Sequence, residues 1–234
     1  MIQLLSWGDR GWGDELVRAA GMTLAVALCA FLLGLVIGSA GAAAKLGRYR
    51  ALQVAADGYT TLLRGIPELL VIYLLFFGGS GALMYVASIF GHTGYIEINA
   101  FATGVVAIAV VNGAYSTEVI RGAVLAVQPG QIEAAKAYGM SPAIMFRRIL
   151  APQVLRYALP SLGNVWQLAL KETALISVTG LVEIMRQSTV GAGSTKQPFT
   201  FYAAACLLYL LLTTVSGLGL ARAERWAARG VRRA

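Results

Sequence analysis

Five stretches of this chain are apolar over about the 20 residues that a helix needs to cross a lipid bilayer. They cover residues 19–44, 69–91, 98–117, 157–182 and 197–221. Only the stretch 157–182 contains charged side chains, Lys171 and Glu172. With 58% hydrophobic and 13% charged residues, the chain is too apolar for one soluble core, because soluble domains carry about 25% charged residues. The sequence therefore predicts a membrane protein with five spans.

The basic residues are distributed unevenly between the connections. Most of the 19 lysines and arginines lie in 45–64, in 121–156 and in the tail after residue 221. Lysine and arginine that flank membrane helices accumulate on the cytoplasmic side. We therefore expect a multi-pass protein of the bacterial inner membrane with a periplasmic N-terminus and a cytoplasmic C-terminus. The start of the chain lacks the pattern of a cleaved signal peptide, so the first span is expected to be retained.

Several functional classes are disfavoured by what the sequence lacks. Cys29 and Cys206 each lie within an apolar run, as packing residues do, and the single histidine, His92, lies in a glycine-rich loop. The motifs GxxxxGK[ST], HExxH and GxSxG do not occur. The net charge of +8 is explained by helix flanks, since no compact basic face with interleaved aromatic residues is present. The sequence thus predicts no catalytic residue, cofactor or metal in this chain.

The first span contains Gly34 and Gly38. Small residues four positions apart on a membrane helix let a second helix approach closely. Because such pairs are frequent in spans rich in Gly and Ala, the pattern indicates helix packing and nothing more specific.

The loop at about 126–156 is more amphipathic than an unstructured linker would be. Residues 131–138 are predicted to form a short helix that stops at Gly139 in a left-handed conformation. Ser141 suits an N-cap and Pro142 the first position of a second short helix, expected to reach about Leu150, before Pro152. Two short helices at a tight bend would form a rigid knob.

This loop resembles the EAA loop of ABC importer permeases. The resemblance is carried by Glu133-Ala134-Ala135, Gly139, Ile149 and Pro152, with Ala151 where the family usually has Leu. It implies that these residues dock into an ATPase subunit and couple ATP hydrolysis to transport. The alternative is an ordinary amphipathic cytoplasmic loop.

The resemblance extends over nearly the whole chain. Tyr59-Thr-Thr-Leu-Leu-Arg-Gly-Ile-Pro-Glu-Leu, Gly113-Ala-Tyr-x-Thr-Glu-x-x-Arg-Gly-Ala and Tyr157-Ala-Leu-Pro-x-x-Gly-Asn-x-Trp-Gln are similar to the polar amino-acid branch. They most resemble Q-type subunits of histidine, lysine, arginine and ornithine importers and of octopine and nopaline importers. This implies an all-α, five-span, type I (MetI-like) permease domain over residues 1–234. It also implies three kinds of partner: a homologous M-type permease, two ATPase subunits that bind ATP and Mg, and a periplasmic binding protein.

Glu68 is the first candidate for contact with a solute. It follows Pro67 at the start of the second span, where a proline can open the helix. Ionisable groups inside a bilayer are costly and indicate function by default, and a carboxylate binds a guanidinium or ammonium through charge-assisted hydrogen bonds. The alternative is a structural pair with Arg64, four residues earlier.

Two further polar stripes recur at helical spacing. Asn112, Tyr115 and Glu118 share a face of the third span, although Glu118 is interpreted as a partner of Arg121. A second stripe, which is expected to bind solute or the second permease, consists of Asn164, Gln167 and Lys171. Glu172 lies about 100° from Lys171 around the helix and is expected to meet the partner subunit.

The predicted function is a non-enzymatic permease subunit that moves amino acids, above all basic amino acids or opines, into the cytoplasm. The alternatives are a permease for neutral or other polar amino acids, a membrane channel and a scaffold. Neither a channel nor a scaffold accounts for the loop at 126–156. Histidine, arginine, ornithine and the opines all remain open as solutes.

Overall fold

The computed structural model describes residues 2–8, 11–89 and 99–228. Most of these residues are helical and none of them forms a strand, which confirms the all-α prediction. The predicted span ends at Gly91 and Ile98, the lone His92 and the tail arginines after residue 228 lie outside the described residues. The α-helices are α1 (Gly13–Leu46), α2 (Arg50–Gly65), α3 (Glu68–Tyr73), α4 (Gly79–Ile89), α5 (Ala100–Leu125), α6 (Pro129–Ala137), α7 (Pro142–Met145), α8 (Ala151–Glu172), α9 (Ile184–Thr195) and α10 (Pro198–Ala227).

Three of these helices, α1, α5 and α10, are long and apolar enough to cross a membrane. A fourth span results if α2 and the helical run Glu68–Gly78 are counted as one bent pair. The predicted span 157–182 does not qualify, because its α-helix is rich in polar residues and gives way to a 3-10 helix at Thr173–Thr179. The number of five spans therefore stays a prediction.

Helix α5 is the centre of the fold. Of its apolar segment 61% is buried, against 28% for α1 and 11% for α10. The closest packing is between α1 and α5, where a Cβ at Gly34 would lie 3.3 Å from the carbonyl oxygen of Ala109 and one at Gly38 would overlap Ser116. The glycine pair of α1 thus lets two backbones touch, which confirms the packing role predicted from its spacing.

A sharp break separates α2 from α3. The helix direction bends by 110° between the two segments, and Ile66 at the break is extended, with φ −111° and ψ 150°. The residue before a proline is forced out of the helical region by the proline ring. Pro67 therefore ends α2 and starts α3, which places Glu68 in the first turn of a new helix.

The first short helix of the predicted knob and the bend that follows it are present. Helix α6 ends at Ala137, two residues before Gly139, whose φ is +69°. The N–H of Met140 donates to the carbonyl of Ala135 at 3.1 Å. This is the hydrogen bond of a Schellman stop. Pro142 is the first residue of α7, as predicted.

The predicted end of the second short helix is wrong. Helix α7 continues through a π-helical turn, Phe146–Leu150, directly into α8. The N–H of Ala151 donates to the carbonyl of Phe146, five residues back. A π turn inserts one extra residue and moves the carbonyl that a proline ring would strike in a regular helix. Pro152 is accommodated by this turn and does not terminate the helix.

Candidate functional site

A buried polar pair lies at the centre of the fold, between α5 and α8. Nδ2 of Asn112 donates to Oε2 of Glu172 at 2.5 Å, and the two residues are 0% and 3% exposed. The prediction that Glu172 meets a partner subunit is wrong, because its side chain is buried within this chain. Neighbouring residues lie about 100° apart around a helix. Lys171 is on the exposed side of α8, and Glu172 is therefore on a different side, which is the buried one.

Glu68 joins this pair from the first turn of α3. Its carboxyl group faces both the carboxyl group of Glu172 and the hydroxyl of Tyr115. Oε1 of Glu172 and Oδ1 of Asn112 are buried without a hydrogen-bond partner in the described structure. Two facing carboxylates repel each other unless a cation or a proton lies between them. The cluster of Glu68, Asn112, Tyr115 and Glu172, which we call the carboxylate cluster, is therefore suited to receive a positively charged group.

Arg64 does not neutralise this cluster through an ion pair with Glu68. Among the described residues its guanidinium lies 5.5 Å from the centre of the Tyr115 ring, in the geometry of a cation–π contact. The alternative structural pair of Glu68 with Arg64 is thus not among the ion pairs of the described structure.

The second predicted stripe does not reach the carboxylate cluster. Asn164 and Lys171 are exposed, and Gln167 lies near Gly217 of α10. In the described part of the chain no hydrogen bond or ion pair joins them to Asn112 or Glu172. Of the predicted substrate-path residues, the structure brings Glu68, Asn112 and Tyr115 together. The other three, which form the second stripe, lie on the other side of α8.

An ion-pair network fixes α2 against α1 and α5. Nζ of Lys45, at the end of α1, lies 2.8 Å from Asp57 and 2.5 Å from Glu118, and it donates to the hydroxyl of Thr60 at 2.6 Å. Glu118 also pairs with Arg121 at 2.9 Å, which confirms the interpretation made from their spacing. The Lys45 side chain is 8% exposed, so this network is a firm anchor for the helix that precedes Glu68.

Glu183 is a structural residue that the sequence analysis missed. Its carboxylate caps α9 by accepting from the N–H groups of Met185 at 2.9 Å and Arg186 at 2.6 Å. It also accepts from the hydroxyl of Tyr209 at 2.9 Å. The hydroxyl of Tyr209 in turn lies 3.3 Å from the hydroxyl of Thr173. This arrangement fixes the segment that follows Glu172. The signal that could have identified it is an acid at the position before a helix start, but no helix beginning at Ile184 was predicted.

The knob presents a small-residue surface bounded by an exposed aromatic ring. Glu133 and Ala134 are exposed, whereas Ala135 is buried against the knob itself, and Tyr138 at the bend is 86% exposed. Nε2 of Gln153 donates to Oε1 of Gln131 at 2.5 Å, which ties α6 to the start of α8. Of the remaining predicted coupling residues, Ile149 is half-buried and Pro152 is exposed.

Residues 30–227 match the family described as "Binding-protein-dependent transport system inner membrane component". The chain is 59% identical over 232 residues to the nopaline transport system permease protein NocQ of Agrobacterium fabrum, which covers 99% of this chain and 98% of the relative. It is 41% identical over 224 residues to the histidine/lysine/arginine/ornithine transport system permease protein HisQ of Salmonella typhimurium, covering 96% and 98%. These relatives confirm the resemblance to Q-type permease subunits.

The fold is also similar to that of a solved structure, an amino acid ABC transporter with histidines. The TM-score is 0.77 at 31% sequence identity, covering 92% of this chain and 94% of the other. This confirms the predicted permease fold.

Proposed function

The chain belongs to the family of binding-protein-dependent transport system inner membrane components, and on this premise we propose that it carries opines and basic amino acids into the bacterial cytoplasm as a permease subunit of an ATP-binding-cassette importer. The observation that carries the choice of solute is the carboxylate cluster. A guanidinium or ammonium group placed between Glu68 and Glu172 removes their mutual repulsion and supplies N–H donors to the unpaired oxygens of Glu172 and Asn112.

The position of the cluster agrees with this role. It lies where α3, α5 and α8 meet, at the centre of the described helices, and one wall is formed by the short helix that starts after Pro67. A helix that begins within the protein leaves its first N–H groups without intrahelical partners. The N–H groups of Leu70 and Val71 donate to the carbonyl of Pro67, so those of Glu68 and Leu69 are the ones that suit the carboxylate end of an amino-acid solute. A zwitterionic solute with a cationic side chain then finds partners for both ends.

The knob is the element that we assign to coupling. Glu133, Ala134, Ala135 and Gly139 belong to it, Ile149 belongs to the π turn, and Pro152 lies in the first turn of α8. Because the knob continues through the π turn into α8, a displacement of the knob is transmitted along one helix to Glu172 at its other end. ATP and Mg are bound by the ATPase subunits, and a homologous second permease and a periplasmic binding protein complete the importer.

A panel of labelled solutes tests the proposed substrate class. Cells that lack this chain are compared with complemented cells for uptake of nopaline, octopine, arginine, ornithine and histidine, with glutamine as a neutral amino acid. We expect complementation to restore the uptake of at least one opine or basic amino acid and to leave glutamine uptake unchanged. Restoration of glutamine uptake alone would assign the chain to neutral solutes.

A further inference from the structure

An apolar groove runs along the outside of the bundle, away from the carboxylate cluster. It lies between α1, α5 and α8, has a volume of about 670 Å³, and its lining includes Leu35, Leu46, Val124, Leu150 and Leu162. Leu46 is 40% exposed, so the groove is open to its surroundings. In the bilayer assigned to this protein, those surroundings are acyl chains or another membrane helix.

The dimensions of the groove discriminate between these occupants. Along α1 it extends from Leu35 to Leu46, a rise of about 16 Å, close to half of the ~30 Å hydrocarbon core. The groove is thus one leaflet deep. That length suits one acyl chain, whereas a membrane helix would run across both leaflets.

The mouth of the groove carries positive charge. A second hollow of about 430 Å³ shares Ala151 and Leu155 with the groove and is also lined by Arg147, Arg156 and Trp226. No acidic residue is among the described residues that line either hollow. Nε of Arg156 donates to the carbonyl of Ala227 at 3.1 Å, which orients its guanidinium at the mouth and uses one of its five N–H donors.

We propose that this groove binds one anionic phospholipid, with an acyl chain along α1 and α8 and the phosphate at Arg147 and Arg156. Basic pockets between membrane helices on the cytoplasmic side bind anionic headgroups, and tryptophan is enriched at the level of the headgroups. The arginine-bearing end is the one that the distribution of basic residues assigns to the cytoplasm. A lipid bound there contacts the π turn between the knob and α8, and is separate from the transported solute.

Native mass spectrometry of the purified complex tests the site directly. The delipidated complex is titrated with phosphatidylglycerol, with phosphatidylcholine of the same acyl chains, and with glycerol phosphate as the soluble headgroup. We expect phosphatidylglycerol to be retained in preference to both. The variants Arg147→Gln and Arg156→Gln are each expected to weaken its binding about fivefold, the effect of one basic residue near an anionic lipid.

A second pair of variants tests the groove without touching its charge. Ser39 lines the groove and is exposed, and Ala40 is exposed but does not line it. Ser39→Phe is expected to displace the lipid, whereas Ala40→Phe retains it. Three outcomes would each overturn the proposal. They are binding of phosphatidylcholine equal to that of phosphatidylglycerol, undiminished lipid binding by Ser39→Phe, and competition by glycerol phosphate as strong as that of the lipid. A crosslink from Ser39→Cys to the second permease subunit in place of lipid would also overturn it.

Discussion

Replacing Glu172 by Gln is expected to reduce the uptake of a cationic solute by about ten- to hundredfold, the effect of losing one hydrogen bond to a charged group at a buried site. The substitution keeps the shape of the side chain and the hydrogen bond with Asn112, but it removes one of the two charges that face the solute. Glu68→Gln is expected to act in the same direction. Uptake of labelled arginine or nopaline into proteoliposomes measures the effect.

The same variants distinguish binding from a structural role. Because Glu172→Gln removes the repulsion between two carboxylates, we expect it to leave the thermal stability of the purified complex unchanged or higher. Lys171→Gln is the matched control, since its side chain is exposed and lies outside the cluster, and it should retain uptake. A loss of thermal stability by Glu172→Gln, or an equal loss for cationic and neutral solutes, would make the cluster structural.

Replacing Gly139 by Val is expected to separate ATP hydrolysis from uptake. The φ of +69° at this position costs a residue with a side chain roughly 1–2 kcal/mol, and a β-branched residue is among the least tolerant. The knob therefore loses its bend while the membrane helices remain inserted. The number of solutes taken up per ATP hydrolysed is the measurement, and we expect it to fall severalfold.

Two companion variants sharpen this prediction. Gly139→Asn should retain coupling, since asparagine tolerates the left-handed conformation. Ala134→Asp should lose coupling with the bend intact, because it adds a charge to the exposed surface of the knob. If Gly139→Val and Ala134→Asp both transport with normal stoichiometry, the knob is not the coupling element.

The local features of this fold are those that the sequence predicts best. The packing role of Gly34 and Gly38, the left-handed stop at Gly139 and the pair of Glu118 with Arg121 each depend on residues within one or two helical turns. Their geometry follows from spacing and backbone preference alone. The break at Pro67 is of the same kind, because a proline restricts its own φ and the conformation of the preceding residue.

The features that the sequence did not predict depend on distance in space. Glu68 and Glu172 are far apart in the chain, and only the packing of α3 and α8 against α5 brings their carboxyl groups together. Pro152 was expected to end a helix, yet a π turn accommodates it, and no residue type signals such a turn. The exposure of Lys171 and the burial of Glu172 could not be predicted for the same reason, since hydropathy does not say which side of α8 faces the centre of the fold.

ATP hydrolysis by the reconstituted complex tests the central claim most directly. The complex that contains this chain is placed in proteoliposomes with its ATPase subunits and binding protein, and hydrolysis is measured while opines, basic amino acids and glutamine are added in turn. The account predicts severalfold stimulation by at least one opine or basic amino acid, little by glutamine, and loss of that stimulation in Glu172→Gln. Equal stimulation by glutamine, or undiminished stimulation of Glu172→Gln by the cationic solute, would contradict it.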